Sequence, residues 1–203
     1  LAGAKYIEQV EAAERPITIR QLLSHTAGLS YGFVDPESVI DKAYLAAGFN
    51  VLEEANGNLE DMCDTLAQLP LAYQPGTGWA YSLSTDVLAR VIEVVSGQSF
   101  GEYLQQRIFD PLAMVDTGFC ISESKLPRLP AMYFPNDALD PMAGGLNLIS
   151  EAGAKSYASM PQWQSGGGGL LSSVADYVSF LRMLINDGEW AGTRLLQPET
   201  LRV

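Results

Sequence analysis

The chain holds one histidine, His25, and two cysteines, Cys63 and Cys120, spread over 203 residues. A structural or catalytic zinc needs three or four such ligands at close spacing, so no metal is expected, and no cofactor. The two cysteines leave a disulfide open, free thiols being the commoner state in a chain of this size. Basic residues are also scarce: 12 Lys and Arg against 24 Asp and Glu give a net charge of −12. Without a basic stripe to neutralise phosphates, nucleic acid is not an expected partner, and neither is an anionic membrane surface. Long apolar runs are missing, since nothing approaches the 18 or more residues of a spanning helix. Residues 1–10 lack the basic and apolar regions of a signal peptide. The four glycines at 166–169 precede a helix signal but have no Walker lysine, which argues against a nucleotide.

What is present is ordinary globular material. Hydrophobic residues make up 47% and charged residues 18%, enough for one domain burying roughly 70% of its unfolded surface. Residues 1–13 read as an apolar and acidic lead-in. Thr18 to Gln21 fits a capping box, with Ile19, Leu22 and Leu23 starting a helical stripe that Gly28 can end. Asp35, Pro36 and Glu37 mark a second start, for a helix stopping near Gly48. Asn58 opens a third, with Leu59, Met62, Leu66 and Leu69 on one face. A fourth runs from about Thr85 to Ser96 with Val87, Leu88, Val91, Ile92 and Val95 as core, and Ser99 caps a fifth that ends before Pro111. From Asp116 the pattern changes. Short apolar runs at 119–121, 132–134 and 146–149 read as strands or extended segments, and 122–168 as loops over a cleft. Ser173 to Asp176 is another capping box, opening a helix with Tyr177, Val178, Leu181, Leu184 and Ile185. Residues 189–196 read as a short turn and strand, and the last helix, from Pro198, is still running at Val203, which predicts truncation.

The stretch from Gln74 to Asp86 organises the rest. Pro75 and Gly76 make a turn, Trp79 and Tyr81 sit in a short apolar run, and Ser84 or Thr85 can cap the following helix. Tyr81 therefore lies between an extended segment and a helix N-terminus. Two readings of it stand side by side. It can be a core tyrosine tied to a backbone carbonyl, or a phenol facing a cleft that moves protons once a nearby ammonium lowers its pKa of about 10.

Pro75, Gly76, Tyr81 and Ser82, followed by Asp86, Val87, Leu88, Val91, Ile92, Glu93, Ser96 and Gly97, resemble the middle of the penicillin-recognising serine hydrolases. These are the class C β-lactamases, the D-alanyl-D-alanine peptidases and the related carboxylesterases. Further stretches match in order: Ile17 to Leu29, Ile108 to Phe119, and Gly167 to Asp176. The resemblance implies an α/β, β-lactamase/transpeptidase-like fold. Residues 1–203 would be one incomplete domain: a helical subdomain at about 18–111, then loops, short strands and returning helices at about 112–203. It implies Tyr81 as the catalytic base of an acyl-enzyme mechanism and a small-molecule ester or β-lactam as substrate. The nucleophilic serine, its lysine and the family's third motif would lie outside this chain, so the chain alone would be inactive and its first residue not the natural start. The glycine run would be structural, bringing a loop close to the active-site region.

Two local matches are decoys. Gly28, Ser30 and Gly32 fit Gly-x-Ser-x-Gly, but a nucleophile elbow needs a strand before the serine and a histidine downstream, and His25 lies upstream. His25 reads instead as a hydrogen-bonded core or cap residue. Ser122 and Lys125 fit Ser-x-x-Lys, but Pro127 and Pro130 follow directly and the pair comes after the tyrosine, so it reads as a solvated loop. One departure carries information. Two residues after Tyr81, where the β-lactamases of this group have an asparagine that contacts the substrate's acylamido group, stands Leu83. That substitution tilts the substrate-binding expectation at Leu83 towards an apolar pocket and the function towards a carboxylesterase on short-chain esters. A β-lactamase or peptidase, an acyltransferase and a non-catalytic ligand-binding relative are the alternatives.

Overall fold

Helix starts in this chain are fixed by side chains that take up orphan backbone N–H groups, and the computed structural model shows where each succeeds. It describes residues 10–35, 37–49, 57–136, 140, 142 and 144–202; the start of the lead-in, residues 1–9, and Pro36 lie outside them. Thr18 caps α1 (Ile19–Leu23) with both halves of a capping box. The expected stripe does not form, because the helix is only five residues long: Leu22 is buried, while Ile19 and Leu23 stay exposed. α2 (Val39–Ala46) is capped by Ser38, not by Asp35, whose carboxylate accepts from Glu37 N–H at 3.3 Å. α3 (Leu59–Leu66) starts at Asn58 with a full capping box to Asp61 and buries Leu59, Met62 and Leu66.

α4 (Ser84–Ser96) departs from the expected cap. Leu83 is the N-cap residue with no side-chain bond, because the Ser84 hydroxyl turns to Ser82 Oγ at 2.8 Å. Gly97 ends it in the left-handed conformation, as a C-terminal glycine does. Ala89 is buried on its inner face, whereas Val95, expected in the core, is exposed. Arg90 joins α3 to α4 through Glu60 at 2.5 Å and also binds Glu93 at 3.2 Å. α5 (Phe100–Leu104) continues into a π-helical turn over Gln105–Phe109, so the expected single helix is one helix with a widened end.

The chain divides into two compact units at this point. The first holds the described residues up to Tyr103 together with Gln162–Gly169, and the second holds Leu104–Pro161 and the residues from Leu170 on. In the second unit, Phe109, Leu112, Met114 and Met183 form the core, with Phe180, Leu184 and Trp190 packed against them. Met183 comes from α6 (Val174–Ile185), capped by Ser173. That helix is apolar on more than one face. The side carrying Phe180, Met183 and Leu184 meets this core, so Tyr177, Val178, Leu181 and Ile185 lie towards solvent instead of inside. Asp176 completes only half of its capping box, since its carboxylate accepts from Asp116 N–H at 2.6 Å and from the Thr117 hydroxyl at 2.9 Å.

Two hairpins complete this unit. β1 (Met132–Pro135) pairs antiparallel with β2 (Leu146–Ser150), with a register shift between Met132 and Tyr133. β3 (Glu189–Trp190) pairs with β4 (Thr193–Arg194) across a turn in which Ala191 and Gly192 both have positive φ, 50° and 82°, the geometry that tight hairpins favour. The 119–121 run forms no named strand; the adjoining Gly118 makes a single bridge to Leu171. Residues 123–128 and 155–158, expected as loop, wind into short 3₁₀ helices, the first around Pro127, whose ring suits a tight turn better than an α-helix. A short α7 (Pro198–Leu201) follows.

Candidate active site

In the first unit, the Gln74–Asp86 stretch and the two residues before it are laced to the segment that leaves α1. Gly76 N–H donates to Thr26 O at 2.8 Å, Ala72 N–H to Gly28 O at 2.7 Å, Ala80 N–H to His25 O at 3.1 Å and Leu83 N–H to Ser30 O at 3.2 Å. The two segments therefore hold one another in register on both sides of Tyr81. The approach is close enough that Gly28, at φ 88°, has no room for a Cβ against the Tyr73 carbonyl. His25 makes the turn out of α1 at φ 55°, an uncommon conformation for a residue other than glycine. Its Nδ1 lies 3.1 Å from Ser82 Oγ, and its carbonyl accepts from Tyr73 OH at 3.3 Å. The lone histidine is thus a hydrogen-bonded turn residue that fastens the tyrosine segment.

Tyr81 sits between two rings. His25 is 5.1 Å away, centroid to centroid, and Tyr31 is 5.0 Å away, both tilted. The row extends to Trp79 beyond His25 and to Phe33 beyond Tyr31. Tyr81 remains 45% exposed, so it is not the enclosed core tyrosine of the first reading: its ring is braced by its neighbours and still reaches solvent. Leu83, two residues on, is 4% exposed and belongs to the packed interior of this unit.

Tyr31 was missing from the sequence expectations as a neighbour of Tyr81. Burial, then the charge of Asp86, then Tyr81 itself push its phenol well above the ordinary tyrosine range, so Tyr31 keeps its proton and serves as a donor. Asp86 was expected only as part of a motif. It lies in the first turn of α4, 1% exposed, and its carboxylate accepts from Ser165 Oγ at 2.6 Å, Trp163 Nε1 at 3.1 Å and Tyr31 OH at 3.5 Å. Trp163 is therefore an anchor. Beside it, Gln164 accepts from Gly101 N–H at 2.5 Å. The glycine run follows directly: a Cβ on Gly166 would strike the Thr85 carbonyl, and one on Gly167 would strike the Tyr31 hydroxyl, whereas Gly168 has open space around it. An acid in the first turn of an apolar helix was the one available signal for this arrangement.

Both decoys have physical explanations. Ser30 is buried and donates its hydroxyl to Asp41 in a short hydrogen bond, and Asp41 also accepts from Asp35 N–H at 2.6 Å. Ser122 shares its hydroxyl with Ser124 at 2.9 Å, while Lys125 is engaged by Asp116 at 2.7 Å and by the Val115 carbonyl at 2.6 Å. A cavity of about 170 Å³ beside Asp116, Lys125, Arg128 and Ser172 belongs to the second unit and contains none of the expected site residues. Cys63 and Cys120 are free thiols, and burial pushes that of Cys63 up to about 11.

Comparison with known proteins places this geometry. The chain matches the family model described as Beta-lactamase over residues 4–202. It is 33% identical over 198 residues to an uncharacterized protein of Mycobacterium tuberculosis, covering 97% of this chain and 46% of that protein. It is 37% identical over 175 residues to a lovastatin esterase of Penicillium rubens, covering 86% and 41%. Among solved structures it resembles EstCE1, described as a hydrolase with promiscuous acyltransferase activity, with a TM-score of 0.71 at 27% identity, covering 93% of this chain and 50% of that one. The chain thus spans half or less of the length of these relatives.

Proposed function

The chain belongs to the Beta-lactamase family, with a β-lactamase/transpeptidase-like fold, and on that premise we propose that it is the middle portion of a serine hydrolase acting through an acyl-enzyme on short-chain carboxylic esters. The observation that carries this reading is the setting of Tyr81, braced by His25 and Tyr31 and still 45% exposed. In the proposed step a serine from outside this chain attacks the ester carbonyl and passes its proton to the Tyr81 oxygen, which the lysine outside this chain would hold as phenolate. The same proton then goes to the departing alkoxide, leaving an acyl-serine and restoring the phenolate. Water attacks the acyl-serine in the same way, releasing the acid. Backbone N–H groups hold the oxyanion in both halves. Ser30 and Ser122 are set aside as nucleophiles in this reading: the buried Ser30 hydroxyl donates to the Asp41 carboxylate rather than pairing with a lysine, and Ser122 pairs with Ser124 while Lys125 is engaged by Asp116.

Leu83 supports an esterase over a β-lactamase or peptidase. Its interior side chain offers no amide to an acylamido group, so selectivity would come from the polar contact that is missing there. An alcohol acceptor in place of water would make the same site an acyltransferase, and the likeness to EstCE1 favours keeping that reading.

The test uses the full-length protein that contains this chain. Turnover of p-nitrophenyl butyrate with none of a chromogenic cephalosporin is the expected result, and the reverse preference would overturn the role given to Leu83. Tyr81→Phe should lower ester turnover by about 10²–10⁴ with the circular dichroism spectrum unchanged. The 203-residue chain by itself should turn over neither substrate.

A further inference from the structure

Three carboxylates of the described chain are almost fully enclosed: Asp41 at 2%, Asp86 at 1% and Asp176 at 5% exposure. Asp41 and Asp176 each take a backbone N–H and a hydroxyl: Asp41 from Asp35 and Ser30, nearby in sequence, and Asp176 from the adjacent Asp116 and Thr117, a single segment 60 and 59 residues distant. Asp86 is different. Its donors are side chains from two separate segments, Tyr31 on one and Trp163 and Ser165 on the other, and all are neutral. Enclosing a carboxylate among neutral donors costs desolvation that a neutral residue of the same shape would avoid. Its place in the first turn of α4 offsets part of that cost, since the helix N-terminus favours negative charge. Its contacts show what the charge holds in place.

We propose that Asp86 is a positioning residue for Tyr81. It fixes the Tyr31 phenol, whose ring braces one face of Tyr81, and it pins Trp163 and Ser165 so that Gly166 and Gly167 close against the same helix end. The chain of contact is short. Tyr31 OH reaches Asp86 Oδ2 at 3.5 Å, the Tyr31 and Tyr81 rings are 5.0 Å apart, and Gly167 packs against the Tyr31 hydroxyl and Asp86 with no space for a side chain. The Tyr31 hydroxyl is also hydrogen-bonded to Tyr81 and Thr85, so it links the Asp86 carboxylate to the Tyr81 phenol directly as well as through the tilted rings. The proposal rests on the functional reading only in making Tyr81 the group whose placement matters, and its test reads that placement without any turnover.

The experiment labels tyrosine Cζ with carbon-13 in the full-length protein that contains this chain and identifies the Tyr31 and Tyr81 signals with the two phenylalanine variants. Asp86→Asn should keep the circular dichroism spectrum, move the Trp163 indole N–H and shift the Tyr81 signal by more than its line width. Tyr31→Phe should shift Tyr81 as well, and the double variant should go no further than the larger single change, because both act through one contact. Asp176→Asn, a buried acid of the other unit, should lower the melting temperature and leave Tyr81 where it is. An unmoved Tyr81 in Asp86→Asn, additive shifts in the double variant, or an equal shift in Asp176→Asn would each overturn the proposal. Should Asp86→Asn fail to fold, Ser165→Ala takes its place: its hydroxyl bonds Asp86, so the Tyr81 signal must still move.

Discussion

Tyr44 shows how far a single hydroxyl matters. Its ring is 1% exposed against Phe49, and its OH lies beside the Ser30 backbone without a well-aligned hydrogen bond. Burial, the main cause, pushes this phenol up to about 12. A folded pKa above the unfolded one gives stability that is full below about 10 and lost as pH rises towards 12. Tyr44→Phe should therefore flatten alkaline unfolding over that window and change neutral stability by less than about 1 kcal/mol, measured by urea melts. Asp116 behaves in the opposite sense. Arg128 and then Lys125, each 2.7 Å away, hold its carboxyl well below the usual range. A depressed folded pKa gives stability that is present above about 4 and lost as pH falls below it, with solvent screening part of the gain. The melting temperatures of the native chain and Asp116→Asn should converge as pH falls from 6 to 2, and a gap that stays constant would separate the ion pairs from acid stability.

At the scale of elements, the glycine run and the start of α4 act together. Gly166 fits against the Thr85 carbonyl, a backbone atom that cannot step aside, while nothing lies within contact of a Cβ at Gly168. Gly166→Ala should cost about 1–3 kcal/mol, and Gly168→Ala should be near neutral, two positions apart in one loop, by thermal melts. Equal effects would mean that the loop is held by Trp163, Gln164 and Ser165 alone. The helix starts explain why so much of this level was legible. Thr18, Asn58 and Ser173 each bond an N–H within three residues of themselves, so the signal and its consequence lie in the same short window. Where the expected cap failed, at Ser84, the hydroxyl had paired with Ser82 Oγ two residues away, which a distant partner, His25 Nδ1, holds in place.

Over the whole molecule, apolar surface is plentiful. Val174 and Ile185 on α6 are 84% and 85% exposed, and both strands of the β1–β2 hairpin leave Tyr133, Phe134 and Leu146 open to solvent. Surfaces of this kind mark interaction sites or association. The chain also spans less than half of the lovastatin esterase it resembles. The 203-residue chain should accordingly bind an apolar dye such as ANS and grow in apparent mass with concentration in light scattering, whereas the full-length protein should do neither. Equal dye binding by the two would mean that this surface stays uncovered in the longer protein.

The sequence by itself determined the helix-dense first half, the capped starts, the glycine turns and the position of Tyr81 between an extended run and a helix. Each of these follows from residues within a few positions of one another. Only the tertiary structure decided which face of α6 is buried, because several apolar faces compete and the one that meets Phe109 and Met114 prevails. It alone paired Asp86 with Tyr31 and Trp163, 55 and 77 residues away, since no local pattern records which distant donor a buried carboxylate will find.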